Sequence, residues 1–188
     1  MAMPLSQTDW TVEMLDALPD DGDRYELIDG ELFVTPAPSD VHQLVVGALH
    51  ARLRAYLRPF PVARVIASPS DVRRADRRKN RVQPDVFAVR LTDGARPAYP
   101  FDQSDLLLAI EVESPGTRAY DHQTKRRLFL ANGVSEYWIV DPDARTFARW
   151  RTPGDTGELQ TDRIEWQPAA MLAPFVLEIP EFFEDALG

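Results

Sequence analysis

The stretch 105–113, DLLLAIEVE, constrains the fold more than any other part of the chain. It is apolar on both faces until its last residues, the pattern of a strand in the middle of a sheet that is covered on both sides. Around it, sixteen prolines and nine glycines cut the sequence into short elements. Residues 8–18 read as a short amphipathic helix stopped by Pro19. The run RYELIDGELFVT places two alternating segments on either side of Asp29-Gly30, a two-residue hairpin signal. Ser39 then caps a helix over 40–58. Strands are expected over 62–67 and 83–89, ahead of the central strand. A helix over 117–131, ended by Asn132-Gly133, separates that strand from two more, over 136–140 and 146–151. The remainder reads as a strand pair and a short terminal helix. The core order is helix, three strands, helix, strand, with strands added at both ends: an α/β (α+β) fold with a mixed central sheet flanked by helices. The expected organisation is a single domain over 1–188, with a core over about 20–152 and a C-terminal extension, 153–188, packed on it.

Composition narrows the function classes. With 44% apolar and 27% charged residues the chain is not of the disordered type. No apolar run reaches the ~18–20 residues needed to cross a bilayer, so no membrane role is expected. The N-terminal MAMPLSQTDW has neither a basic region nor an apolar segment of a secretion signal, so a cytoplasmic protein is expected. The absence of cysteine removes disulfides, thiolate zinc sites and cysteine nucleophiles together. The net charge of −9 is unlike that of most nucleic-acid binders. Locally the balance reverses: residues 52–81 hold ten bases against Asp71 and Asp76. Along the 40–58 helix, Val41, Leu44, Val45, Ala48, Leu49, Leu53 and Tyr56 form a broad apolar stripe that also takes in His42 and Arg52. So wide a stripe points to packing on more than one side, against the sheet and against a second subunit of a homodimer.

The acids at the end of the central strand are the first sign of chemistry. Alternation puts Leu106, Leu108, Ile110 and Val112 on one face, and Leu107, Ala109, Glu111 and Glu113 on the other. Two carboxylates on one face repel each other, and burying either one unpaired costs several kcal/mol or raises its pKa. The strand alone permits two readings: a functional site, or a strand end that has left the core with its acids solvated or paired with arginine. Asp85 opens the preceding strand after Pro84. If the two strands run antiparallel, its side chain lies beside Glu111 and Glu113. Three oxygen donors at one sheet edge suit a hard divalent cation, Mg2+ or Mn2+. Lys125 falls on the inward face of the 117–131 helix, between Leu128 and Phe129. It either pairs with Asp121 at i−4 or is aimed over the strand end at a metal-bound water or a phosphate.

Pro84-Asp85, then Glu111-Val112-Glu113, then Lys125 resembles the core of the PD-(D/E)xK nucleases. The wider ordered set is YELIDGEL, Ser39 with His42 and Gln43, QPDVF, AIEVESPGT, Asp121 with Lys125, and EYWIVDP. It resembles the bacterial Uma-two family of restriction endonuclease-like proteins over roughly residues 20–152. The resemblance implies a restriction-endonuclease-like core and metal-dependent hydrolysis of phosphodiester bonds in DNA. Asp85 and Glu111 map to the metal-binding acids, with the Val112 backbone carbonyl as a further ligand. The superfamily lysine ordinarily follows the second acid by two residues. Glu113 stands there instead, so the lysine role moves to Lys125, and Glu113 becomes an additional acid or a polar residue at the mouth. Glu26 and His42 are supporting candidates, and Gly116 stands where the family pattern has a hydroxyl residue. In this reading Arg73, Arg74, Arg77, Arg78, Lys79 and Arg81 contact the DNA backbone.

Two other readings stay open. The fold could serve as a catalytically silent binding or assembly module, which the acidic charge and the apolar stripe would suit. Glu111 and Glu113 are also close enough for two-carboxylate glycoside hydrolysis. Against that, Trp138, Trp150 and Trp166 fall in strand-like segments, where core packing is the default.

Overall fold

The computed structural model describes residues 3–4, 9–19, 22–35, 37–74 and 78–188. Its elements begin with β1 (Met3–Pro4), α1 (Val12–Asp16), β2 (Arg24–Ile28), β3 (Glu31–Thr35), α2 (Asp40–Leu57) and β4 (Ala63–Ala67). Next come β5 (Val72–Arg73), β6 (Arg81–Val82), β7 (Val86–Arg90), β8 (Phe101–Asp102) and β9 (Leu106–Val112). A π-helical turn, Tyr120–Lys125, runs into α3 (Arg126–Ala131). The chain closes with β10 (Tyr137–Asp141), β11 (Thr146–Trp150), β12 (Glu158–Gln160), β13 (Arg163–Trp166), β14 (Phe175–Glu178) and α4 (Ile179–Leu187). Among the described residues no helix is long and apolar enough to cross a membrane. The helix expected over 8–18 is shorter: Thr11 caps α1 by accepting the Met14 N–H at 3.3 Å, and residue 8 lies outside the described residues.

The central sheet has the order β12-β11-β10-β9-β7-β4. The β9–β10 pair is parallel and the others antiparallel, so the sheet is mixed. All seven residues of β9 are buried, as its two-sided apolar character requires. Leu108, Ile110 and Val112 pack with Val86, Trp138 and Val140 beneath α2 and α4. Ala109, Phe87, Val89, Tyr137 and Ile139 pack on the other face beneath Leu128 and Phe129 of α3. Fully burying a side chain of this size contributes about 1.5–3 kcal/mol, so the two clusters hold β9 rigidly and fix where its acidic end lies.

Strict alternation fails at the start of β9. Ala88 pairs with Leu108 but Val89 pairs with Leu106, which leaves Leu107 as an extra residue. This bulge exchanges the faces of Leu106 and Leu107: Leu107 joins the α2 side and Leu106 the α3 side. From Leu108 onward the alternation runs as the sequence indicates.

The second sheet has the order β1-β3-β2-β6-β5-β8. Its β2–β3 hairpin turns through Asp29 (φ 50°) and Gly30 (φ 85°), the left-handed pair that a two-residue turn demands. Ser39 Oγ accepts the His42 N–H at 3.2 Å and starts α2. Val45, Val46, Leu49, Leu53 and Leu57 of α2 are buried. Part of its broad stripe is covered by the chain's own C-terminus: Arg52 pairs with Asp185 of α4 at 2.8 Å and lies over the Phe182 ring. Val41 and Leu44 at the start of the stripe are exposed.

Candidate active site

Five segments meet at one end of the central sheet. Because β7 and β9 are antiparallel, with Val86 opposite Ile110, Asp85 before β7 comes beside Glu111 near the end of β9. The N-terminus of α2 brings His42, the first strand of the hairpin brings Arg24 and Glu26, and the π-helical turn brings Asp121 and Lys125. The widened π turn is a feature that recurs at functional sites. Here it leaves both Asp121 and Lys125 buried on one side.

Both oxygens of Asp85 are engaged. Oδ1 accepts from Arg24 Nη1 at 2.8 Å, Oδ2 accepts the Val112 backbone N–H at 2.9 Å, and Oδ2 lies 3.0 Å from His42 Nε2. Burial alone would push this carboxyl up. The His42 hydrogen bond and the Arg24, His42 and Lys125 charges overcome that effect and hold it well below the ordinary aspartate range. Glu111 moves the other way. Burial, together with the neighbouring Asp85, Asp121 and Glu26 charges, raises its carboxyl well above the usual value despite Lys125. Burial also raises Asp121, to about 6, with Lys125 and a Thr117 hydrogen bond opposing.

Lys125 is 1% exposed, and its Nζ lies 2.9 Å from Glu26 Oε2, 3.0 Å from Glu111 Oε1 and 3.7 Å from Asp121 Oδ1. Both partners considered from the sequence are therefore present, the i−4 aspartate and the strand-end acid. Glu26 is the third, and its Oε1 also accepts the Gln83 N–H at 2.7 Å. Lys125 faces carboxylates rather than open space, and Glu111 and Glu26 keep it firmly protonated against the effect of burial.

A cavity of about 340 Å3 opens onto this set, lined by Arg24, His42, Asp85, Glu111, Val112 and Asp121 and by the loop 114–117. Four buried carboxylates (Glu26, Asp85, Glu111 and Asp121) face two permanent cations, Arg24 and Lys125. That excess of negative charge is the condition a hard divalent cation relieves. Among the described residues no three His, Asp or Glu side chains converge into a complete cage. Mg2+ asks for less, since one or two carboxylates suffice while it keeps several waters. Asp85, Glu111 and the Val112 carbonyl fit such an ion by donor type.

Glu113 stands apart from this set. It pairs with Arg118 at 3.3 Å and with His122, while Arg118 also reaches Asp141 at 3.2 Å. Three acids do gather at the cavity, but the third is Asp121, delivered by the π turn. Glu113 does not line the cavity: Arg118 and His122 hold its carboxylate, whereas that of Glu111 meets Lys125.

The basic stretch is largely matched by acids. Arg78 lies 3.7 Å from Glu13, Lys79 pairs with Asp9 at 2.6 Å, and Arg81 pairs with Asp16 and lies 3.8 Å from Asp71. Arg74 donates to Asn132 at 2.8 Å, Arg73 is half-buried, and Arg77 lies outside the described residues. Trp138, Trp150 and Trp166 are buried in the core. Arg24 carried little signal beyond sharing a strand face with Glu26, and Asp121 was marked only as a partner of Lys125.

Fold and site together define a nuclease-like α+β protein. A crystal structure at 1.96 Å of a putative nuclease belonging to DUF820 from Anabaena variabilis ATCC 29413 superimposes with a TM-score of 0.78. That likeness covers 95% of this chain and 99% of the other at 19% identity. The family model Uma2, described as "Putative restriction endonuclease", matches residues 12–180, and the chain belongs to that family. Comparison with the curated proteins gave no match.

Proposed function

We propose that the protein is a Mg2+- or Mn2+-dependent endonuclease that hydrolyses phosphodiester bonds in DNA. One observation carries the reading: Asp85 and Glu111, brought together by antiparallel strands, line the same cavity. Asp85, Glu111 and the Val112 carbonyl would hold the cation. A bound divalent ion supplies Lewis-acid charge at the phosphate and lowers the pKa of a coordinated water. Arg24 borders the cavity on Asp85 and meets the phosphate oxygens as a guanidinium fork. His42 fixes Asp85 in place. Lys125 acts from behind, holding Glu111 in position and favouring its ionised form. Asp121, raised to about 6 and lining the cavity, takes the proton of the attacking water. The water oxygen bonds to phosphorus, one bridging P–O bond breaks, and the departing oxygen takes up a proton from solvent water. Of the bases of 73–81 that contact the DNA backbone, Arg78 and Lys79 exchange weak surface ion pairs for phosphate contacts, which makes affinity fall with salt.

The test is cleavage of supercoiled plasmid and single-stranded DNA with Mn2+ and with EDTA, comparing wild type with Asp85→Ala purified identically. Metal-dependent cleavage that disappears in Asp85→Ala supports the reading. Full metal-dependent activity in the variant, or no cleavage by folded wild type, contradicts it.

A further inference from the structure

A second cavity, of about 590 Å3, adjoins the first. Gly22, Arg24, Pro38, His42 and Asp85 line both. Its volume lies within the ~300–1,000 Å3 of small-ligand pockets, yet nothing in the hydrolytic step uses it. Its remaining wall is mixed. Leu15, Leu18 and Val46 are apolar, Tyr25 and Gln43 supply a ring and an amide, and charge enters through Asp23 and through Arg81, which pairs with Asp16. A flat heteroaromatic ring with a polar edge finds apolar contact on Leu15, Leu18 and Val46 and a hydrogen-bonding partner in the Gln43 amide. The shared wall fixes the relation to the chemistry: an occupant of the second cavity sits next to Arg24 and Asp85, so a phosphate attached to it falls in the first.

Building on the nuclease reading, we infer that the second cavity takes one unpaired nucleobase of the substrate strand. A base inside a duplex is stacked and paired and cannot enter such a pocket unless it is extruded. The preferred substrate is therefore single-stranded or locally unpaired DNA, with the base held beside the phosphate that is cut.

The test measures binding without turnover. Binding of thymidine 5′-monophosphate and of 2-deoxyribose 5-phosphate is measured in EDTA, for wild type and for Gln43→Trp. Gln43 is exposed on α2 and lines the cavity, so the indole can fill it without disturbing the core. Wild type should bind the nucleotide at least tenfold more tightly than the abasic sugar phosphate. Gln43→Trp should lose that advantage with its melting temperature unchanged. Equal binding of the two compounds by wild type overturns the inference without relying on any variant, as does a nucleotide advantage that survives in a folded Gln43→Trp. A protein that cuts DNA but binds both compounds equally refutes the base cavity alone. One that binds the base selectively but cuts nothing refutes hydrolysis alone.

Discussion

Removing the charge of Lys125 tests the arrangement at its most buried point. Lys125→Met keeps most of the side-chain volume and deletes the ammonium that lies 2.9 Å from Glu26 and 3.0 Å from Glu111. The three acids around it are buried, so nothing from solvent replaces the lost charge. Taking one partner from a buried ion pair costs about 3–5 kcal/mol, against at most about 1 kcal/mol for an exposed pair. Urea denaturation in EDTA at pH 7 should show a loss in the larger range. The sign of the pH dependence follows from linkage. Without Lys125 the carboxyls of Glu111 and Asp121, already raised, rise further, so the folded state binds more protons than the unfolded one and stability falls as pH rises. The gap between variant and wild type should therefore shrink on going from pH 7 to pH 5. A loss below about 1 kcal/mol at pH 7, or a loss independent of pH, would refute the buried-cluster account. A lowered stability does not by itself make Lys125 merely structural, because the same contacts that stabilise the fold also fix Glu111.

Asp121 rises from 3.8 to about 6 on folding, a shift worth about 3 kcal/mol. In EDTA that increment of stability should be lost as pH rises from about 4 to about 6, and comparing the stability curve of Asp121→Asn with that of wild type should show the Asp121 contribution gone. Asp121→Asn should also lower the metal-dependent cleavage rate by about 100-fold, whereas Glu113→Gln, in contact with Arg118 and His122, should leave it close to wild type in the same assay. Gly30→Ala should destabilise the protein by about 1 kcal/mol on thermal unfolding, because Gly30 holds φ +85° and an added Cβ would sit 3.3 Å from the Lys79 side chain.

The meeting of Asp85 with Glu111 was legible because it needs only local facts: two short strands, their antiparallel sense and the period of two. The buried β9 was legible for the same reason, since an apolar run of that length leaves little choice. What was not legible depends on partners distant in sequence. Leu106 and Leu107 exchange faces because Ala88 and Val89 break register. Glu113 does not line the cavity and is held by Arg118 and His122, partners that a period of two has no means of predicting. Part of the stripe on α2 is covered by α4, more than a hundred residues later, while Val41 and Leu44 are exposed, and an amphipathic pattern alone could not tell which stripe residues have an intramolecular neighbour. Arg24 is the instructive omission: it stands two residues before Glu26 on one strand face, and only the tertiary fold brings its guanidinium to Asp85.

If Asp85 and Glu111 together hold the cation on which hydrolysis depends, equilibrium Mn2+ binding followed by electron paramagnetic resonance on wild type, Asp85→Asn and Glu111→Gln should register the loss of either carboxylate. Wild type should bind Mn2+ at a site that Mg2+ competes for, and each substitution should weaken that binding at least tenfold in a protein that remains folded. Mn2+ affinity unchanged in both variants would contradict the claim.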